Sequence, residues 1–171
     1  TRAADDKYNE VTAEYTLTIN KADQTNFAFE KQNPGAITYK PGLTFENKAT
    51  GNQGTGKITY EITSGNDVAS IDDNGKLTIN KAGDVTVKAT RAADDKYKEA
   101  TAEYTLTINK ADQTNFAFEN QNPEARTYKP GLTFENKASS DQGADNVTYT
   151  ITRDNGVASI DINGTLTILK A

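Results

Sequence analysis

Apolar and polar residues alternate in several short stretches of the chain. YTLTI occurs at 15–19 and at 104–108, and ITYEI at 58–62, KLTIN at 76–80 and VTVKA at 85–89 follow the same period of two. This is the spacing of side chains on one face of a β-strand, and the interleaved Thr residues suit a solvated face. No long window shows a helical period. The pattern therefore predicts short strands, each with one buried face.

Turn signals separate these stretches. Asn-Gly pairs stand at 74–75 and 163–164 between strand-like runs, and Pro-Gly pairs at 41–42 and 130–131 precede a further strand-like run, GLTFENKA in the first case. Asn-Gly accommodates the positive φ of a tight hairpin turn. Roughly six or seven strands with turns every 8 to 12 residues predict an antiparallel β-sandwich.

The chain also repeats itself. TAEYTLTINKADQTNFAFE occurs at 12–30 and again at 101–119, and Thr1 aligns with Thr90 without gaps, which is a period of 89 residues. Such a repeat predicts tandem copies of one module. The copies differ mostly at 50–58 and around 64–67, two predicted loops. We favour tolerance of change in these loops over selection for binding, although loops are also where binding sites lie.

One half of the period resembles a known family. The segment SGNDVASIDDNGKLTINKAGDVTVKATRAADDKYKEATAEYTLTI, residues 64–108, is similar to the C-terminal half of bacterial immunoglobulin-like (Big) domains, which occur in tandem in surface adhesins and in invasin- or intimin-like proteins. VASID, the Asn-Gly hairpin, LTINKAGDVTVKAT and AEYTLTI carry the similarity. The resemblance implies tandem immunoglobulin-like antiparallel β-sandwiches, an extracellular location at the bacterial cell surface, and a role in a stalk or adhesin.

The family frame predicts how the chain divides into modules. Residues 1–21 would be the final strand of a preceding module, 22–110 a complete module, and 111–171 a module that lacks its last strands. Three explanations remain open for the incomplete module. The chain is a window from a longer array, or the N-terminal strand of one molecule completes the open module of another, or residues 1–82 are themselves the repeating unit.

Composition narrows the classes of function. The chain has no Cys and no His, which removes disulfides, thiolate zinc sites and the commonest catalytic base. Its net charge of -5 disfavours nucleic acid as a partner, and no stretch approaches the ~18 apolar residues of a membrane span. We therefore predict no enzyme, no nucleic-acid partner and no membrane contact by this segment.

Candidate site chemistry is sparse, with no catalytic or cofactor-binding residue predicted. The motif AADDKY recurs and contains Asp5 and Asp6 in the first case and Asp94 and Asp95 in the second. These acids are weak candidates for calcium at a module junction, by the resemblance to adhesin stalks. Calcium takes six to eight oxygen ligands, and two adjacent Asp residues supply few. A solvated turn capped by the Tyr of the motif is the favoured interpretation, with no metal bound.

These observations lead to a mechanical function. Only NKAD separates the last strand of one predicted module from the first of the next, with no Gly, Ser or Pro run, so successive modules would meet at a restricted angle. We predict a structural stalk or spacer of a surface adhesin or surface fibre that projects a distal tip. Its partners would be neighbouring identical modules. The alternatives are an adhesive module that recognises a host glycan or protein through its variable loops, and a fibre subunit joined by strand exchange between chains.

Overall fold

The computed structural model describes residues 1–140, 142, 147–153 and 155–171. These residues form strands and no helix, which confirms the predicted all-β fold class. The same ranges accordingly offer no helix that could cross a membrane. The chain divides into two compact units, unit 1 at Thr1–Ala111 and unit 2 at Asp112–Ala171.

Unit 1 contains the longest strands. They are β1 (Ala28–Phe29), β2 (Ile37–Thr38), β3 (Thr44–Glu46), β4 (Ala49–Thr50), β5 (Ile58–Ser64), β6 (Ala69–Ile71), β7 (Lys76–Ile79), β8 (Gly83–Arg91) and β9 (Ala100–Asn109). One sheet has the order β2-β9-β8-β5, a second β3-β7-β6, and β1 pairs with β4. The pairs are antiparallel except β2 with β9, which run parallel with Ile37 opposite Ile108. This edge pair departs from the predicted antiparallel arrangement.

The alternating stretches of unit 1 from residue 58 onward lie in strands, as predicted. The run GLTFENKA is instead divided between β3 and β4, which belong to different sheets. The reason is Asn47, whose side chain is only 1% exposed. Its Oδ1 accepts a hydrogen bond from the Lys31 N–H at 3.0 Å, and its Nδ2 donates to the Lys31 carbonyl at 2.8 Å. A buried amide that pairs with backbone in this way interrupts the apolar alternation.

The core of unit 1 lies between the sheets. Its buried apolar residues are Phe29, Ala49, Val68, Ala69, Leu77, Ile79, Val85, Val87, Ala89, Tyr104, Leu106 and Ile108. The Tyr104 ring packs edge-on against Phe29 with 4.6 Å between ring centroids. Burial raises the pKa of Tyr104 to about 12. Each large apolar side chain buried here contributes about 1.5–3 kcal/mol to stability.

The N-terminal segment has the sequence of β9 without its structure. Tyr15, Leu17 and Ile19 are 90%, 71% and 86% exposed, whereas Leu106, the counterpart of Leu17 in the repeat, is 0% exposed. Residues 12–20 form no strand, although the period of two predicts one. A strand needs a neighbour for its backbone N–H and C=O groups, and no described strand lies beside this segment. Its assignment to a preceding module stays a prediction.

Unit 2 repeats part of this architecture. Its strands are β10 (Ala117–Phe118), β11 (Thr133–Glu135), β12 (Ala138–Ser139), β13 (Ala158–Ile160) and β14 (Thr165–Ile168). β10 pairs with β12, and β14 lies between β11 and β13. Residues 147–151, the counterpart of β5, form no strand. In unit 1 β5 pairs with β8 alone, and among the described residues of unit 2 no strand pairs with 147–151.

Candidate functional site

The AADDKY motif folds as a turn that its own residues specify. The Asp94 N–H donates to the Tyr97 carbonyl at 3.0 Å, and Asp94 Oδ1 accepts from the N–H groups of Lys96 and Tyr97, both at 2.8 Å. The first motif makes the same bonds, with Asp5 Oδ1 accepting from the N–H of Tyr8 at 2.8 Å. An Asp that caps the backbone two and three residues ahead is a local device. The turn therefore forms in both sequence contexts.

Asp94 has a second role that Asp5 lacks among the described residues. Its Oδ2 accepts hydrogen bonds from the Thr55 N–H at 2.7 Å and from Thr55 Oγ1 at 3.2 Å. The backbone hydrogen bond from Thr55, followed by those from Lys96 and Tyr97, lowers the pKa of Asp94 from 3.8 to about 2. This carboxylate thus ties the loop at 50–58 to the loop that precedes β9.

The segment that leads into the module is bound to the same loop. The Ala22 N–H donates to the Lys96 carbonyl and the Lys98 N–H donates to the Ala22 carbonyl, both at 2.8 Å. Gln24 Nε2 donates to the Lys98 carbonyl at 2.6 Å. Asp23 also pairs with the Lys98 ammonium at 2.9 Å, an exposed ion pair that adds little. We name residues 22–24 with 96–98 the junction clamp.

Arg91 binds the backbone of the loop at 50–58 in unit 1. We name this loop the variable loop, because it differs between the two copies of the repeat. It is only 8% exposed, and its Nη1 donates to the carbonyls of Gly51 at 3.1 Å and Gln53 at 2.6 Å. The guanidinium carbon lies 4.9 Å from the centre of the Phe27 ring, a cation–π contact. The loop at 50–58 is therefore fixed by the module itself. Most of its counterpart, residues 141 and 143–146, lies outside the described residues.

The recurring AADDKY motif predicted the Asp94 turn, but the roles of Gln24, Thr55 and Arg91 were not predicted. No motif marks Gln24 or Thr55, because their partners lie 74 and 39 residues away along the chain. Arg91 did leave a signal. It occupies the inward register of β8 after Val85, Val87 and Ala89, where a charge requires buried acceptors.

The candidate calcium residues are not brought together as a metal site. The described part of the chain contains no group of three or more acidic, His or Cys side chains that could hold a metal ion. Both oxygens of Asp94 accept hydrogen bonds from protein donors, and Asp95, Asp5 and Asp6 lie in exposed turns. Since calcium takes six to eight oxygens, this geometry fits a hydrogen-bonded turn better than a calcium site.

The hydrogen bonds to Asp94 predict a pH dependence of stability. Its folded-state pKa of about 2 lies below the ordinary 3.8, so the carboxylate stabilises the fold above about pH 4, and that contribution is lost as the pH falls towards 2. Between about pH 4 and pH 2 we expect the urea midpoint of Asp94→Asn to change less than that of the wild type. The pKa values of Asp67 and Asp72 are also lowered, so some dependence remains.

Asp95→Asn is the matched control, because no hydrogen bond involves this side chain among the described residues. It is expected to keep the pH dependence of the wild type. Circular dichroism monitors the urea unfolding at each pH. If the urea midpoints of Asp94→Asn and Asp95→Asn depend on pH in the same way, the Asp94–Thr55 hydrogen bonds do not form.

The strand arrangement of unit 1 defines an immunoglobulin-like β-sandwich. Residues 31–102 match the family model of the bacterial Ig-like domain (group 2). The match lies within unit 1 and reaches from before β2 into β9. It confirms the predicted resemblance to bacterial immunoglobulin-like domains. No curated protein matches the chain.

Several solved structures are similar in fold, each below 25% identity. Drosophila N-cadherin EC1-4 is 17% identical with a TM-score of 0.34, over 81% of this chain and 39% of that one. Mouse cadherin-23 EC22-24 is 14% identical with a TM-score of 0.38, over 85% and 54%. Extracellular cadherin domains 1–4 of protocadherin gamma B7 are 18% identical with a TM-score of 0.36, over 85% and 42%. The chain thus covers less than two thirds of each.

Proposed function

We propose that the chain is a structural stalk or spacer segment of a bacterial cell-surface adhesin or surface fibre, which projects a distal tip. The observation that carries the proposal is the junction clamp. Residues 22–24 are hydrogen-bonded to 96–98 of the same module. The backbone is therefore held in place from Ala22, the first residue of the predicted module at 22–110. A stalk requires this property, because a loose lead into each module would let the array fold back.

The other end of the module is equally fixed. β9 remains paired up to its last residues, with Ile108 opposite Gly83, and the Tyr39 N–H donates to the Asn109 carbonyl at 2.9 Å. Ala111 is the counterpart of Ala22 in the repeat, so Lys110 alone separates two positions that are each bound in a complete module. A single residue leaves far less freedom than a flexible linker. Successive complete modules would therefore keep a narrow range of angles.

The family supports a structural or adhesive function. Bacterial Ig-like domains are typically non-enzymatic and extracellular or surface-exposed, and residues 31–102 match that family. In unit 1 the variable loop directs Thr55 and the carbonyls of Gly51 and Gln53 to partners within the module. These contacts favour a mechanical role of the loop over an adhesive one.

A two-module chain tests the proposal. Two successive copies of residues 22–110 would carry Lys40→Cys in each copy, an exposed turn position in a chain that has no other Cys. Spin labels at these positions are expected to give a narrow distance distribution by double electron–electron resonance. Inserting about five Gly and Ser residues after Lys110 is expected to broaden it, because such linkers behave as flexible coils.

Removal of a clamp bond provides the specific comparison. Gln24→Ala in the second module removes the bond to the Lys98 carbonyl and is expected to broaden the distribution. Gln32→Ala changes an exposed Gln that makes no hydrogen bond among the described residues, and it is expected to leave the distribution unchanged. A distribution as broad in the unmodified two-module chain as in the inserted one would refute the stalk proposal.

A further inference from the structure

The first and last segments of the predicted module run side by side in the same direction. At the start of the module, Ala22 forms a parallel bridge with Tyr97. At its end, β2 pairs in parallel with the last residues of β9. The segment at 22–38 therefore runs parallel to the segment at 97–109, and the two are in contact near both of their ends.

These two contacts lie at opposite ends of β9. The strand is ten residues long, which is about 33 Å of extended chain. In a tandem array, a pulling force would enter the module at Ala22 and leave it at Lys110. The force would then act along the strands and draw the two parallel segments in opposite directions, so that they slide past each other.

Sliding of this kind loads many contacts at the same time. The two backbone hydrogen bonds of Ala22, each 2.8 Å long, and the bond of 2.6 Å from Gln24 Nε2 to the Lys98 carbonyl share the force at one end. The bond of 2.9 Å that the Tyr39 N–H donates to the last residue of β9 shares it at the other end. β9 also has to slide along β8, all nine residues of which are paired with it. These contacts must therefore break together.

The β5–β8 pair of the same unit offers the opposite case. The two strands are antiparallel, and the Lys57 carbonyl accepts a hydrogen bond of 3.0 Å from the Ala92 N–H at one end of the pair. A force that separates Lys57 from Ala93 acts across the strands. It loads this bond first and then the pair of Ile58 with Arg91, so the strands separate one pair at a time. Peeling of this kind needs less force than sliding.

We propose that the junction clamp and the parallel pairing of β2 with β9 are the force-bearing contacts of the module, and that they resist a pull between residues 22 and 110. The inference rests on the proposed stalk function, which supplies the direction of the pull. It adds that the module is strongest along the axis on which a surface stalk would be stretched. The relevant quantity is the rate of unfolding under force, because forced unfolding follows that rate and not the equilibrium stability.

Optical tweezers measurements on the full chain test the proposal. The chain has no Cys, so Cys introduced at two exposed positions can carry DNA handles. Lys21→Cys with Lys110→Cys loads unit 1 along its strands, and Lys57→Cys with Ala93→Cys loads the β5–β8 pair across them. At the same loading rate, the second pair is expected to unfold at about half the force of the first or less. Equal urea midpoints of the two double variants would confirm that only the direction of the force differs.

A variant of the junction clamp provides the second comparison. With handles at 21 and 110, Gln24→Ala removes the bond to the Lys98 carbonyl and is expected to lower the unfolding force. Gln32→Ala changes an exposed Gln that makes no hydrogen bond among the described residues, and it is expected to keep the force of the wild type. Equal forces in the two directions, a lower force along the strands, or an unchanged force in Gln24→Ala would each overturn the proposal.

The experiment distinguishes this inference from the stalk proposal. A narrow distance distribution in the two-module chain, together with equal forces in the two directions, would support a stiff spacer and overturn the force-bearing role of these contacts. A broad distribution, together with a force that depends on direction, would refute the stalk and support the force-bearing contacts of the single module.

Discussion

Replacing Leu106 by Ala is expected to destabilise unit 1 by about 2–5 kcal/mol, whereas the same change at Leu17 alters the stability by less than about 0.5 kcal/mol. The two residues have identical neighbours in sequence, but Leu106 is 0% exposed and Leu17 71% exposed. Removing a buried isobutyl group loses its transfer free energy and leaves a cavity beside Val85 and Val87. Shortening the exposed Leu17 side chain loses little transfer free energy and leaves no cavity.

Urea unfolding of both variants, measured at a concentration where the chain is monomeric, gives the comparison. Because the nearest residues on either side are the same, helix or strand propensity cannot account for a difference. Comparable losses from the two substitutions would mean that residues 12–20 are packed in solution, which contradicts the exposure of Tyr15 and Ile19.

Replacing Gly56 by Ala is expected to destabilise unit 1 by about 1–3 kcal/mol. A Cβ at this position would overlap the Ala92 carbonyl oxygen and would lie 2.7 Å from its carbonyl carbon. Both contacts are with backbone, so a side-chain rotation cannot relieve them. The loop at 50–58 or the segment after β8 has to move, and the Ala92 N–H to Lys57 carbonyl bond of 3.0 Å moves with it.

Gly35→Ala is the control for this prediction, since a Cβ there meets no atom within 4 Å. It is expected to be neutral or slightly stabilising, because Ala has fewer unfolded conformations than Gly. Thermal unfolding of the two variants separates the outcomes. Equal midpoints would show that Gly56 does not lie against Ala92 in solution.

Gly56→Ala is also expected to weaken the junction clamp, on which the proposed stalk function depends. Ala92 and Lys98 belong to the same segment between β8 and β9, and Gln24 Nε2 lies 3.5 Å from the Ala92 carbonyl and 2.6 Å from that of Lys98. A shift of Ala92 therefore loosens the hold on residues 22–24. In the two-module chain this substitution is expected to broaden the distance distribution as Gln24→Ala does. A variable loop would then contribute to the stiffness of a stalk.

Local sequence accounts for the turns and for several strands. The Asp5 and Asp94 turns have the same hydrogen bonds, although one is followed by a strand and the other is not. Asp72 in unit 1 and Asp161 in unit 2 likewise form equivalent turns. In each, the Asp Oδ1 accepts hydrogen bonds from the backbone N–H groups of the residues two and four positions ahead. Their donors and acceptors lie within four residues, so neighbouring sequence is sufficient. The period of two also predicted β7, β8 and β9 with the correct faces buried.

Tertiary structure decided which alternating stretches become strands and which residues form the candidate site. TAEYTLTIN is a strand at 101–109 and exposed chain at 12–20, and the ITYEI stretch of β5 has a counterpart at 147–151 with no strand. Side-chain pattern selects the buried face, but backbone groups must find a partner strand, and for β5 that partner is β8. The junction clamp follows the same rule, because Gln24 meets Lys98 only after β9 has joined the sheet. Sequence by itself determined the alternating stretches, their repeat and the turns, and the presence of a partner strand decided which of those stretches became strands.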